Sequence, residues 1–535
     1  MTGIEGGANG STSASLLGDR YDQIPYVSMP IEASQPVCLG AIAQMHGLTL
    51  AGPDRARVLE LGCASGGNIV PLAARFPAAT FTGVDLAAAH VASAHSRIAA
   101  LGLKNIVIRQ GDLATIDLKD QTFDTIICHG VFSWVPPATQ DAILRICSRH
   151  LSAHGVVFLS FNVLPGWHQR NIVRDICLEH SKSETSPAAR VAKAREILSE
   201  LAKSVSTTTP YGVMLHNEVA NLKTLPASYL LGEFLVAENH ACTLGQFAAR
   251  VKAFGLSYLS ECDLASSLPE TVLPSAAATI RRLAGPDPIS VQNYTDIFSG
   301  RTFRRALLVR NEQSDAVKPA NARQLSGLHL SCALRKSGRA AEVGFYDRFK
   351  RLVAAKDAAT LDALTLLSQR YPSTVPFDGL SALATTAKSR NDLIAAIYKL
   401  VSDGAATVYA LPLRCGSAQA KQPEVWPLAR LEAQSGQNWV TSLHHRSIPL
   451  NKILLYLVPR VDGTTDHSTL LSNLASALAS EDLSLPTDFK RTATVAGDNA
   501  HKAIAADYLK RGLEYLAVNA LLLPEKSGHG KSAVV

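Results

Sequence analysis

The stretch RVLELGCASGGNIVPLAARF at 57–76, followed by FTGVDLA at 81–87, constrains this chain more than any other part of it. An apolar run, a Gly-containing break, a helix-periodic run and a second apolar run ending in Asp85 predict strand, tight turn, helix and strand. That is the first βαβ unit of a doubly wound parallel sheet, a fold that binds ligands beyond the carboxyl ends of its strands. Gly62 and Gly66 permit the sharp turn, and the helix after it is expected to aim free N–H groups at a ligand. Asp85 stands 23 residues after Gly62, the spacing at which a carboxylate accepts hydrogen bonds from a ribose hydroxyl pair. The unit therefore calls for a nucleoside-containing cofactor.

Two such cofactors compete. Gly62, Ala64 and Gly67 have the spacing of a dinucleotide fingerprint, but that fingerprint needs glycine in the middle so that backbone can approach a pyrophosphate. Ala64 stands there, and Asn68 follows the Gly66-Gly67 pair. S-adenosylmethionine carries no pyrophosphate and tolerates a small side chain at that place. The acidic run Glu60-Leu61-Gly62-Cys63 also suits its amino-acid end better than a phosphate. A third strand in NIVIRQGDLATI (105–116) ends at Gly111, Asp112 and Leu113, and a fourth lies in FDTIICHGVFSWVPP (123–137). In a sheet ordered 3-2-1-4-5 these ends surround one crevice. Asp112 then faces the adenine, and the loop after Cys128 faces the transferred methyl.

With these residues in place, the chain resembles the class I S-adenosylmethionine-dependent methyltransferases. More narrowly, it resembles the bacterial group that carries a methyltransferase regulatory domain and includes protein lysine methyltransferases. The matching runs are YDQIPY (21–26), LELGCASGGN (59–68), GVDLA (83–87), HGVFSWVPP (129–137) and SFNVLPGWH (160–168). Downstream, EFLVAEN (233–239), RTFRRALLVR (301–310) and WPLARLEA (426–433) match as well. One departure is LLGEFL at 230–235, where the group's pattern has a His before Glu233. The resemblance implies a cofactor site made of Tyr21, Tyr26, Glu60, Gly62, Cys63, Ala64, Gly66, Asn68, Asp85, Leu86, Asp112, Leu113 and His129. Tyr21 and Tyr26 would fold over the cofactor as an N-terminal flap.

Length and composition bound the rest. A chain of 535 residues has room for about three domains at roughly 150 residues each. A 47% hydrophobic share supports ordinary globular cores, and a net charge of +7 over this length is a weak argument for a nucleic-acid partner. The nine cysteines are scattered, odd in number and without a Cys-x-x-Cys pair, so neither zinc nor a disulfide framework is expected. Small buried thiols in a reducing cytoplasm fit them better. No apolar run approaches a membrane span, and the Gly/Ser-rich first 18 residues read as a disordered tail rather than a signal peptide.

The expected architecture is α/β: a seven-stranded class I methyltransferase sheet, doubly wound, within 19–312. Its last two strands are expected at 255–262 and 303–310, the latter antiparallel. A helical and regulatory insertion covers about 167–300 and its helical part, 167–245, falls between strands five and six, placed to act as lid or substrate platform. Residues 313–324 read as a linker. Residues 325–415, with helical patterns at FYDRFKRLVAA, TLDALTLLSQRYP and NDLIAAIYKL, follow the order of a winged-helix-like domain. Lys and Arg are sparse on its recognition helix, which favours protein docking or a homodimer contact over DNA. A mainly helical segment, 416–524, and a tail, 525–535, complete the chain. A chain ending near residue 312 is expected to fold around its own core.

Methyl transfer asks the protein to position two reactants and exclude water. Strand four ends at His129, which could accept an amine proton or hydrogen-bond the cofactor, or could only close a turn. Phe132, Trp134, Asn162 and Trp167 are candidates for an acceptor channel, with packing as the alternative. His444 and His445 lack a third ligand at metal spacing and read as loop histidines. The leading function is transfer of methyl to a protein lysine. A small-molecule N- or O-methyltransferase and a non-catalytic, cofactor-binding regulator are the alternatives.

Overall fold

The structure is a computed structural model that describes residues 27–338, 343–480, 483 and 498–525. Tyr21, Tyr26 and both expected tails, apart from Glu525, lie outside the described residues. Helix α1 (Pro36–Met45) leads into β1 (Arg57–Leu61), α2 (Ile69–Arg75), β2 (Thr80–Asp85), α3 (Ala88–Leu101) and β3 (Ile106–Gln110). β4 (Phe123–Cys128), α4 (Pro137–His150) and β5 (Leu151–Asn162) follow. Val58, Leu59 and Leu61 are all fully buried, the run of apolar residues on both faces that a central parallel strand needs.

Three helices fill the insertion: α5 (Trp167–Ser181), α6 (Pro187–Ser204) and α7 (Pro210–Lys223). Ser186 and Thr209 cap the last two by accepting from Ala189 N and Gly212 N, with proline at the first helical position of each. One turn of π-helix (Leu230–Phe234) precedes α8 (Leu244–Ala253), which begins with a reciprocal Thr243–Gln246 capping box. β6 (Leu256–Glu261), α9 (Ala277–Ala284), α10 (Pro288–Ser299) and β7 (Phe303–Arg310) close the domain. The sheet runs β3-β2-β1-β4-β5-β7-β6, with β7 antiparallel to both neighbours, as the sequence led us to expect.

Residues 313–324 differ from their reading as a linker. They are pinned to the core, Lys318 N donating to His46 O at 2.9 Å and Tyr398 Oη to Ala320 O at 2.9 Å. Next come β8 (His329–Cys332), β9 (Arg335–Lys336), β10 (Gly344–Tyr346), β11 (Leu352–Ala354), α11 (Ala358–Arg370), β12 (Val375–Pro376), α12 (Phe377–Ser381), α13 (Ala387–Ser402) and β13 (Ala406–Tyr409). They form two three-stranded sheets, β11-β10-β9 and β12-β8-β13. FYDRFKRLVAA is thus a β10–β11 hairpin and not a helix. Asp347 accepts from the N–H groups of Phe349 and Arg351, both at 2.9 Å, and this local turn outcompetes a helical path. The last segment holds α14 (Pro427–Gln434), a β14 (Trp439–Thr441)–β15 (Ser447–Pro449) hairpin, α15 (Lys452–Leu457), α16 (His467–Ala479) and α17 (Asp498–Val518).

The expected boundary near 312 is not a break in the core. One apolar cluster joins Val58, Ile127, Phe158 and Leu307 of the large sheet to Leu39 of α1, and continues through Leu330, Leu364, Ile397 and Tyr409. Ala410 N also donates to Val37 O at 2.9 Å, tying the end of β13 to α1. All nine cysteines are free thiols, seven of them buried. No helix of the described residues is long and apolar enough to cross a membrane.

Candidate functional site

β1 delivers Glu60 and Leu61 to the glycine turn. The N–H groups of Gly62 and Cys63 donate to Val84 O at 2.8 and 3.1 Å, and Gly66 N donates to Cys63 O at 2.9 Å. Ala64, at φ 46°, donates its N–H to Asp85 Oδ2 at 2.7 Å, and Gly67 N donates to Ser28 Oγ at 2.8 Å. The turn is closed on both sides. A Cβ on Gly62 would lie 2.4 Å from Val131 Cγ2, and one on Gly67 would lie 2.1 Å from Ser28 O. These five N–H groups of the turn itself have protein partners. The turn offers no nest for a pyrophosphate, in keeping with a cofactor that has none.

Asp85 ends β2. Its Oδ1 accepts from Ala87 N at 3.0 Å and sits 3.2 Å from His90 Nδ1. Oδ2 accepts from Ala64 N, and a carboxylate oxygen with one such bond keeps acceptor capacity for a hydroxyl. Leu86, half-buried, accepts from Gln110 Nε2 at 3.3 Å through its carbonyl. Asp112 starts a turn by accepting from Ala114 N at 2.8 Å, and the half-buried Leu113 packs on the core beneath it. Cys63 is buried under Gly83.

Glu60 is a buried carboxyl side chain whose Oε1 accepts from Asn68 Nδ2 at 2.9 Å and whose Oε2 has no hydrogen-bond partner among the described residues. Burial pushes its pKa up to about 8 against the opposing Asn68 bond, with the Asp85 charge adding to the rise. A buried acceptor without a donor beside the turn fits the ammonium-bearing end of S-adenosylmethionine. Asn68 Oδ1 in turn accepts from Ile31 N at 2.9 Å, Ser34 Oγ at 3.0 Å and His445 Nε2 at 2.7 Å.

His129 follows β4, stacked on Phe158 at 5.8 Å between ring centroids and edge-on to Phe303 at 5.7 Å. Its Nδ1 is buried without a hydrogen-bond partner among the described residues. Burial, and after it the Arg305 charge, hold the imidazole down to about 4, so the ring is neutral at neutral pH. Arg305 also lines a cavity of about 350 Å³ with Glu32, Asp263 and Phe349.

The other aromatic candidates pack. Phe132 lies edge-on to Phe247 in the core, and Trp134 is buried edge-on to Trp167 at 5.7 Å. Arg170 covers the Trp167 ring at 4.5 Å and pairs with Glu218 at 2.8 Å. Glu233, on the π-turn, is 4.0 Å from the same guanidinium. Asn162 is buried too, its Nδ2 donating to Asn239 Oδ1 at 3.0 Å, and Asn239 passes the chain on to Asn171 at 2.9 Å. Of the two readings open for Trp134 and Asn162, a catalytic place in an acceptor channel or packing, these contacts are those of packing, and both residues join the sheet to the insertion.

His444 and His445 lie in a loop, as read from the sequence, but that loop is the tip of the β14–β15 hairpin and both are buried. Sequence reading missed His445, whose partner lies 377 residues away. Among the described residues no three His, Cys, Asp or Glu side chains are grouped to hold a metal ion.

Comparisons with known proteins show the family and the fold. Residues 58–155 match the family model of a methyltransferase domain, 226–310 that of a predicted methyltransferase regulatory domain, and 421–521 that of the PKMT C-terminal winged-helix domain. The last falls on the segment read as mainly helical, beyond the winged-helix-like order of 325–415. An uncharacterized protein of Rickettsia prowazekii is 28% identical over 489 residues, covering 87% of each chain. A second one from that organism is 30% identical over 233 residues, 43% of this chain and 93% of its own. PKMT2 from Rickettsia typhi in complex with AdoHcy superposes with a TM-score of 0.82 at 22% identity, covering 93% of this chain and all 100% of that one, a likeness of fold.

Proposed function

Since the chain belongs to the S-adenosylmethionine-dependent methyltransferases that carry a regulatory domain and a PKMT-type winged-helix domain, we propose that it methylates lysine side chains of a protein. The match of 421–521 to the PKMT winged-helix domain carries the choice of acceptor. A small acceptor needs no such platform beside the sheet.

The proposed site spans the ends of β1, β2 and β4. Asp85 and Asp112 bind the nucleoside end, and Glu60 with Asn68 the amino-acid end. The cofactor supplies an activated methyl on a sulfonium. A lysine amine attacks only as the free base, and its reference pKa of about 10.4 must fall first. Phe158 and Phe303 wall the end of β4, and a low-dielectric wall disfavours the charged amine. His129, neutral and with a bare Nδ1, orients the amine as a hydrogen-bond partner. Its low basicity makes it a poor store for the amine proton, which leaves to water.

The test is transfer of labelled methyl from S-adenosylmethionine into a bacterial lysate with the full chain, followed by total hydrolysis. Label in methyllysines is expected. Label confined to small molecules, or to other protein residues, overturns the acceptor assignment.

A further inference from the structure

The methyltransferase turn is completed by a residue from the far end of the chain. Asn68, at the entrance to α2, is fixed by its neighbours in one orientation. Ile31 offers a backbone N–H to it at 2.9 Å, which only an oxygen can accept, so the other amide atom is the nitrogen that donates to Glu60. His445 Nε2, at 2.7 Å from that oxygen, must then be the protonated ring nitrogen.

The histidine is itself held. It occupies φ 60° at the hairpin tip, where His445 N donates to Ser442 O at 2.8 Å and Ser442 N to Arg446 O at 2.9 Å. Arg446 pairs with Glu32, just before α1. His444 O accepts from Gln35 Nε2 at 3.1 Å, and the His444 ring lies between Tyr409 Oη at 2.5 Å and Pro372 O at 2.8 Å. The hairpin tip thus bonds to the methyltransferase core beside the turn and to the 325–415 segment behind it.

We propose that His445 is a positioning residue of the cofactor site, acting through Asn68 to hold the Glu60 carboxylate where the amino-acid end of S-adenosylmethionine binds. This rests on the cofactor reading above. Without His445, Asn68 Oδ1 keeps Ile31 and Ser34 but loses a buried donor, and the Asn68–Glu60 pair is free to turn. The winged-helix segment then contributes to cofactor affinity as well as to any acceptor contact.

Calorimetric titration of the full chain with S-adenosylmethionine tests this. His445→Ala is expected to raise Kd about tenfold, the usual worth of one buried hydrogen bond. Turnover at saturating cofactor should stay within about twofold, because the residue touches no reacting atom. His445→Gln, whose amide nitrogen reaches the place of Nε2, should restore Kd to within about threefold. If His445→Ala does not fold, His445→Met, which fills the space without a donor, takes its place against His445→Gln. An unchanged Kd in the donor-free variant overturns the proposal, and so does a Gln variant as weak as the donor-free one. If the unsubstituted chain binds no S-adenosylmethionine, the cofactor reading fails instead.

Discussion

A histidine held down to about 4 by burial and a nearby guanidinium cannot gate a reaction at neutral pH through its own charge. Turnover should therefore rise with pH as the acceptor amine loses its proton, with no limb from His129 between about pH 5 and 7. His129→Gln is expected to lower turnover about 10- to 100-fold with the pH profile unchanged in shape; a limb that vanishes in the variant would make His129 the base. The buried histidines also set the acid limit of the fold. His129 at about 4 and His444 and His445 at about 3 all lie below the unfolded value of about 6.5. Between those values the unfolded chain binds more protons. Stability is then complete above about pH 6.5 and falls on acidification, by up to about 1.4 kcal/mol per pH unit for each such residue. Glu60 works oppositely. With its pKa raised to about 8, its contribution is complete below its unfolded value and lost as pH rises towards 8. Urea denaturation at pH 5, 6, 7 and 8 checks both: His445→Gln should flatten the acid decline, and Glu60→Gln the alkaline one. Glu60, Gly62, Asp85 and His129 were legible because strand ends place them within one short stretch each. The neutral state of His129 and the bond from His445 were not, since both depend on what other elements bring alongside.

At the scale of elements, β7 depends on a single buried cation. Arg304, with no exposed side-chain surface, donates to Asp296 at 2.7 and 2.8 Å and to Glu261 at 2.6 Å, tying β7 to α10 and β6. The two carboxylates hold the guanidinium pKa well above its ordinary range, against the desolvation that lowers it. Arg304→Met leaves Glu261 buried without this counter-ion and takes from Asp296 the nearer of two, Arg301 remaining at 3.4 Å, and is expected to destabilise by about 3–5 kcal/mol. A fall in the denaturant midpoint of less than a third of that expected would show that the carboxylates find other donors. β6 and β7 themselves could be read from their apolar runs and turn signals. The hairpin at 344–354 could not, because its Arg and Lys spacing imitates a helix face while the decisive Asp347 turn is a matter of side-chain reach.

For the whole molecule, the sequence offered a polar, proline-containing stretch at 313–324 as a boundary, and composition alone cannot reveal what packs on either side of it. Leu307 and Phe158 lie in the same apolar cluster as Leu364 and Ile397, so a chain ending at 312 would expose a core face. Such a chain is expected to be insoluble or to lose its near-ultraviolet circular dichroism; a soluble one that binds S-adenosylmethionine with undiminished affinity would show the large sheet to be autonomous. The position of β7 between β5 and β6 has a further consequence, in time rather than in space. β6 has no strand to pair with until β7 is made, and β7 starts roughly 140 residues after β5 ends. At about 5–20 residues per second of synthesis, the nascent sheet waits some 7 to 30 s with its β5 edge open. The helices of the insertion emerge during that interval, before the last strand arrives.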